Sequence, residues 1–337
     1  MGMRRRLRLG IAAVLVSGLA IGRVVEMQRL AVPLPRDSAS PAQGRLDAER
    51  MLLDLQVLAS PRFQGRGPDT PGGMLAAQVV VSRFTELGLT PFSNTFERPF
   101  TFTHRSVRAL WRRNRPFSKT FTLTKNVVGY VPGTTHPEAF IVVSAHFDHL
   151  GIIGGAVHPG ADDNASGTAA LLAMAAYVKA HPLAHSVVFA AFDAEELGRR
   201  GSRAFVEALP FDREHLVLDV NVDMIGRSDA GRLFVSGVRY TPSLLPVVQH
   251  AANGSRVPVH VGHDRPMYLT GLIDDWTHAS DHGSFHDVGV PFLYFGVEDH
   301  DDMHQPTDTA ERIDQPFFTN AAETVLSTLL TADTTLP

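Results

Sequence analysis

The chain has 337 residues, 44% of them apolar, with 31 basic against 35 acidic side chains and a formal charge of -4. That length suits one large α/β domain or two small ones with a sizeable core, and the near-neutral balance gives no electrostatic ground for a nucleic-acid partner. The absence of cysteine removes thiolate ligands, thiol nucleophiles and disulfides, so a metal here must sit on nitrogen and oxygen.

Arg4, Arg5, Arg6 and Arg8 precede an apolar run from Leu9 to Ile21 that closes at Arg23, the pattern of a secretory signal over residues 1–23. The run is shorter than the roughly 20 residues of a spanning helix, so the expectation is export to the periplasm or beyond, with membrane contact only through an uncleaved N-terminal segment. Residues 24–44, rich in Pro, Ser and Ala from Ala31 to Gly44, read as a linker. The folded domain is expected over 45–337. Leu46 to Leu58 and Gly73 to Leu87 carry apolar residues at helical spacing, the second stopped by Gly88. The arginine-rich stretch Arg105 to Arg115 reads as a solvated hairpin, and Phe117 to Val131 alternates like a strand ending at Pro132-Gly133.

From Phe140 onward, short apolar runs at Phe140 to Ala145, Ser186 to Phe192, Leu216 to Val222 and Val290 to Phe295 predict buried strands of a mainly parallel sheet. Ser166 to Lys179 predicts a helix between the first two. The region from Arg232 to Trp276 carries no readable motif, and no internal repeat is present.

Candidate ligands fall just after these runs, where open α/β sheets collect their reactive groups. His146 ends one strand, with Asp148 two residues on to orient its ring. Asp163 sits in a turn of small residues before a helix, where Asp162 or Asn164 would support it; a carboxylate there has two oxygens and can bridge two cations. Glu195 and Glu196 follow another strand, and adjacent side chains diverge, so one can coordinate while the other stays free as a general base. Asp223 ends a hydrophobic strand, where an unpaired charge costs several kcal/mol. His304 lies in the loop before the last helix. Two imidazoles and three carboxylates exceed what one four-coordinate zinc needs, which predicts two metals. Ser280, Asp281 and His282 are consecutive and cannot converge as a catalytic triad, and no nucleophile elbow occurs.

The pieces SAHFDH, GADDNASG, FDAEELG, NVDMIG and MHQPTDT, with LASPRFQGRGPDTPGG before them and SDHGSFHDVGVPFLYFG between, resemble metallopeptidase family twenty-eight, the bacterial leucyl aminopeptidase and aminopeptidase Y group. The resemblance runs from about Leu46 to Leu330. It implies a three-layer α/β sandwich whose central, mainly parallel mixed sheet is flanked by helices. It further implies two Zn2+ per chain, with His146 and Asp223 on one ion, Glu196 and His304 on the other, and Asp163 bridging. Glu195 would be the general base, the peptide after Asp163 cis, and His282 and Met224 part of the substrate pocket. The implied activity is aminopeptidase action on peptides, with carboxypeptidase or dipeptidase action as the alternative and no stable protein partner. Glutaminyl cyclases and transferrin-receptor ectodomains share the fold with reduced ligand sets, which this chain does not match.

Overall fold

The computed structural model describes residues 31–36, 44–106, 117–265 and 275–336. The basic and apolar N-terminal run and most of the arginine-rich stretch lie outside them. In chain order come β1 (Val32–Pro33), α1 (Ala48–Leu58), α2 (Pro71–Leu87), β2 (Glu97–Pro99), the ribbon of β3 (Phe102–Ser106) and β4 (Phe117–Phe121), and β5 (Lys125–Val131). The middle of the chain holds β6 (His136–His146), a small hairpin of β7 (Gly151–Ile153) and β8 (Ala156–His158), α3 (Gly167–Ala180), β9 (His185–Phe192), α4 (Arg200–Glu207) and β10 (Leu216–Val222). The last third adds β11 (Leu233–Ser236), α5 (Leu245–Asn253), β12 (Val259–Val261), α6 (His282–Asp287), β13 (Phe292–Gly296) and α7 (Gln315–Thr335).

Local chemistry sets the helix ends. The Asp47 side chain accepts the Arg50 N–H to open α1, and Thr70 does the same for Gly73 in α2, whose first residue is Pro71. The stop of α2 is Gly88 at φ 66°, a left-handed position that a Cβ would strain.

Nine strands among the described residues form one sheet in the order β1-β12-β11-β13-β10-β6-β9-β5-β2. Its centre, β13-β10-β6-β9, is parallel throughout, while β5 and β2 on one side and β11 on the other attach antiparallel. Strand alternation divides the core between two faces. Ile141, Val143 and Ala145 of β6 and Val187, Phe189 and Ala191 of β9 join the large core under α1, α2, α3, α5 and α7. Val142, Val188, Ala190 and Phe192 point the other way, to a smaller core with Phe205 of α4 and Phe285 of α6. Both faces of the central strands are buried, and this produces the unbroken apolar runs seen in the sequence.

Three expectations change. Phe117 to Val131 is two strands in different sheets: the carboxylate of Asp69 accepts the N–H groups of Thr122 and Leu123 at 3.2 and 2.8 Å and turns the chain between them. Alternation continues across that bend, so the pattern alone does not reveal it. Within the expected linker, Val32 and Pro33 pair with β12, and Leu34 is buried with its N–H donating to Val259 at 2.9 Å. Two-residue pairing leaves no periodic signal. The motif-free stretch supplies β11, α5 and β12, elements too short to stand out.

Candidate metal centre

The carboxyl ends of β6, β9 and β10 meet the N-terminal turn of α3 and the loop after β13, bringing every expected ligand together. The Nε2 of His146 lies 3.4 Å from Oδ1 of Asp163 and 3.3 Å from Oδ1 of Asp223. Across Asp163, the Nε2 of His304 is 3.0 Å from its Oδ2 and 3.3 Å from Oε2 of Glu196. Asp163 thus faces both groups with different oxygens, and the peptide after it is cis.

Several atoms here are buried and lack a hydrogen-bond partner among the described residues: Nε2 of His146, Oδ1 of Asp223 and Oε1 of Glu196. Buried carboxylates and imidazoles in that condition are costly unless a cation completes them. The donor set, nitrogen and oxygen only, suits zinc as well as other divalent ions. The residues present therefore fit a pair of metals.

One buried histidine beside the cluster was missed by sequence reasoning. His149, three residues after His146, is fully buried, and its Nδ1 stands 2.7 Å from Oε1 of Glu196 and 3.8 Å from Oδ2 of Asp163. Burial pushes its imidazole down to about 3, leaving a neutral ring with a free lone pair. In the sequence it reads as one more histidine in a loop.

Asp308 caps the bridging ligand: its carboxylate accepts the N–H groups of Asp162 and Asp163 at 3.0 to 3.1 Å, and so ties the His304 loop to the turn before α3. Asp162 accepts from Gly226 and pairs with His300 at 2.9 Å. Asn164 accepts the N–H groups of Gly167 and Met224 and donates to Val222, locking the turn to β10. The backbone is left-handed at Ala194, Met224 and His304, with φ of 60°, 57° and 57°, so each turn that aims a ligand or the base carries local strain, as functional sites often do.

Asp148 is fully buried. Its Oδ1 accepts the Glu195 N–H at 3.0 Å and lies 3.5 Å from Nδ1 of His146, which also faces the Asp148 carbonyl at 3.1 Å. The residue thereby links the imidazole to the segment of Glu195. Burial pushes Asp223 upward, but the facing His146 outweighs it and holds that carboxyl below the usual range. Glu196 is raised by burial to about 7, and Glu195 by the same cause well above the ordinary carboxylate value.

His282 and Met224, expected in the substrate pocket, are both buried. The His282 ring is fully buried, with Nε2 2.7 Å from the Trp276 carbonyl and Nδ1 3.3 Å from Oδ1 of Asn221. It supports Tyr294, stacked on it with ring centroids 4.4 Å apart. Met224 is 5% exposed and packs in the large core. Beneath the site Arg66, without solvent exposure, donates to the carbonyls of Leu58, Phe147, Pro159 and Gly160 at 2.6 to 2.9 Å. A buried cation thus braces two ligand loops under a crowd of acids.

With this geometry in place, comparison with known proteins is informative. The model of the family described as Peptidase family M28 matches residues 126–329. The aminopeptidase YwaD of Bacillus subtilis is 29% identical over 64% of this chain and 46% of its own length. The alkaline phosphatase isozyme conversion protein of Escherichia coli is 27% identical over 52% and 51% respectively. The chain thus spans about half the length of these curated relatives. Among solved structures, a zinc aminopeptidase from Bacillus subtilis superposes with a TM-score of 0.65 at 17% identity, covering 86% of this chain and 96% of that one. A glutaminyl cyclase of Porphyromonas gingivalis gives 0.62 at 18% identity, over 85% and 99%. The fold is common to both chemistries, so the side chains of the site must decide between them.

Proposed function

The chain belongs to peptidase family M28, and on that premise we propose that it is a zinc-dependent exopeptidase with two metals per chain, an aminopeptidase that removes N-terminal residues from peptides. The observation that carries this reading is the convergence of His146, Asp163, Glu196, Asp223 and His304 around orphaned buried donor atoms, with Glu195 beside the cluster. A single-metal cyclase needs only part of that set.

When bound, a pair of divalent ions supplies Lewis-acid polarisation of a carbonyl and a water acidified toward neutrality. Asp163 holds the two donor groups in register. Glu195, half-buried and with its backbone N–H donating to the Asp148 carboxylate, accepts the proton of the attacking water on its own carboxylate. It then returns that proton to the leaving amine. Tyr294 is 5% exposed, and the charges of Asp223, Asp163 and Glu195 all act on its phenol. It offers a donor to a substrate oxygen.

The choice of substrate end rests on charge. A terminal carboxylate calls for free cations, but Arg66, buried beneath the site, spends its donors on carbonyls. Acids dominate instead, including the exposed Asp299, whose charge reaches Tyr294. That balance favours a substrate ammonium. A panel of aminoacyl p-nitroanilides and their N-acetylated counterparts tests the proposal: cleavage of the free-amine set alone supports it, and cleavage confined to C-terminal peptide substrates refutes it. Export is part of the same proposal, motivated by Arg4 to Arg8 and the apolar run after them; recovery of the full-length product in the cytosolic fraction alone would count against it.

A further inference from the structure

The two ligand groups are unequal. His146, Asp163 and Asp223 give three donors. On the other side His149, Glu196 and the shared Asp163 converge, and His304, outside that group, reaches the same two carboxylates at 3.0 and 3.3 Å from its own loop as the fourth candidate donor. Resting on the dinuclear reading above, we infer that His149 is a metal ligand, so that His149, His304, Glu196 and Asp163 form a closed four-donor position that fills first, while the three-donor position of His146 and Asp223 is the open, reacting one.

The local construction supports a ligand rather than a packed core histidine. Both ring nitrogens of His149 are buried without a hydrogen-bond partner among the described residues, and so is Oε1 of Glu196, although Nδ1 and Oε1 stand only 2.7 Å apart. Two donor atoms that close, neither hydrogen-bonded, are aimed at a common point rather than at each other. His304 lies across the carboxylates, its ring centroid 5.7 Å from that of His149, so the two imidazoles flank Glu196 and Asp163. Gly160 is left-handed at φ 57°, and a Cβ there would stand 2.2 Å from the Asp163 carbonyl oxygen and 2.5 Å from Cγ of His149, so the ring and the bridging turn both pack against a bare backbone.

Four protein donors saturate a tetrahedral ion, whereas three leave a place for water and substrate. The three-donor group of His146, Asp163 and Asp223 is therefore the one that keeps such a place.

Zinc K-edge X-ray absorption of metal-free wild-type protein loaded with one equivalent of Zn2+ tests this without any substitution. Two imidazoles on that first ion are expected; one imidazole overturns the inference. In chelator-competition titrations, His149→Asn should weaken the tighter binding step about tenfold or more while leaving the weaker step within about twofold, and tight binding equal to wild type overturns the assignment. Circular dichroism of the metal-free variant separates lost coordination from lost folding, and the wild-type spectrum decides if the variant does not fold. Hydrolysis of aminoacyl p-nitroanilides by wild type, run alongside, keeps the two readings apart. Hydrolysis with one imidazole on the first ion leaves the peptidase standing and removes His149, whereas two imidazoles without hydrolysis do the reverse.

Discussion

At the scale of single residues, burial sets the chemistry. Glu195 stands outside both ligand groups yet is half-buried beside them, so its replacement should separate catalysis from metal binding. Glu195→Gln keeps the shape and removes the proton acceptor; we expect kcat to fall by about 10² to 10⁴ with both metals retained, measured by steady-state kinetics and metal analysis. Asp281 is a different case: fully buried, with both carboxylate oxygens unpartnered, it is pushed up by burial to about 7. Its protonated form favours the folded state, so its contribution is complete below the ordinary value of 3.8 and is lost as the pH rises through about 7. Metal-free Asp281→Asn should therefore lose less melting temperature than wild type between pH 6 and pH 8. Equal losses would contradict this account of Asp281.

At the scale of elements, ligands are legible where they end a strand and obscure where a loop's fold brings them in. His146, Glu196 and Asp223 follow apolar runs, and Asp163 opens a recognisable helix, so their candidacy can be read from order and spacing, while their division between two ions is what the family resemblance implies. His149 and Asp308 give no such signal, because what singles them out is a contact across the site: His149 to Glu196 and Asp308 to the turn of Asp162 and Asp163. His282 shows the opposite error, since a polar residue between Asp281 and Gly283 looks exposed until Trp276 and Asn221 are seen to enclose it. The same holds for the fold. The four central strands declare themselves by unbroken apolar runs, whereas β1, β11 and β12 take their structure from pairing partners distant in sequence. Asp308 makes this testable: Asp308→Ala unties the His304 loop and leaves two buried N–H groups unmet, so metal affinity should drop about 10- to 100-fold. An unchanged affinity would show that the loop holds itself.

At the scale of the whole molecule, the crowd of carboxylates at the strand ends sets metal and fold in one equilibrium. Cations that bind the folded chain alone raise its stability with their concentration, by about 2.7 kcal/mol for a free metal concentration of 100 Kd. Chelation should lower the melting temperature, and the shift should grow as pH rises from 6 to 8, because Glu196 and Asp308, both raised by burial to about 7, then lose their protons beside other acids. Differential scanning calorimetry with and without chelator measures both effects. Arg66 offsets part of this acid repulsion from below and is spent in doing so on four carbonyls, which leaves the mouth of the site acidic and suited to a cationic substrate end.

The most direct test of the central claim is to titrate metal-free protein with Zn2+ while following hydrolysis of a free-amine aminoacyl p-nitroanilide. The account predicts little activity through the first equivalent, a steep rise through the second, and a plateau at two per chain. Full activity at one equivalent, or none at any loading, would contradict it.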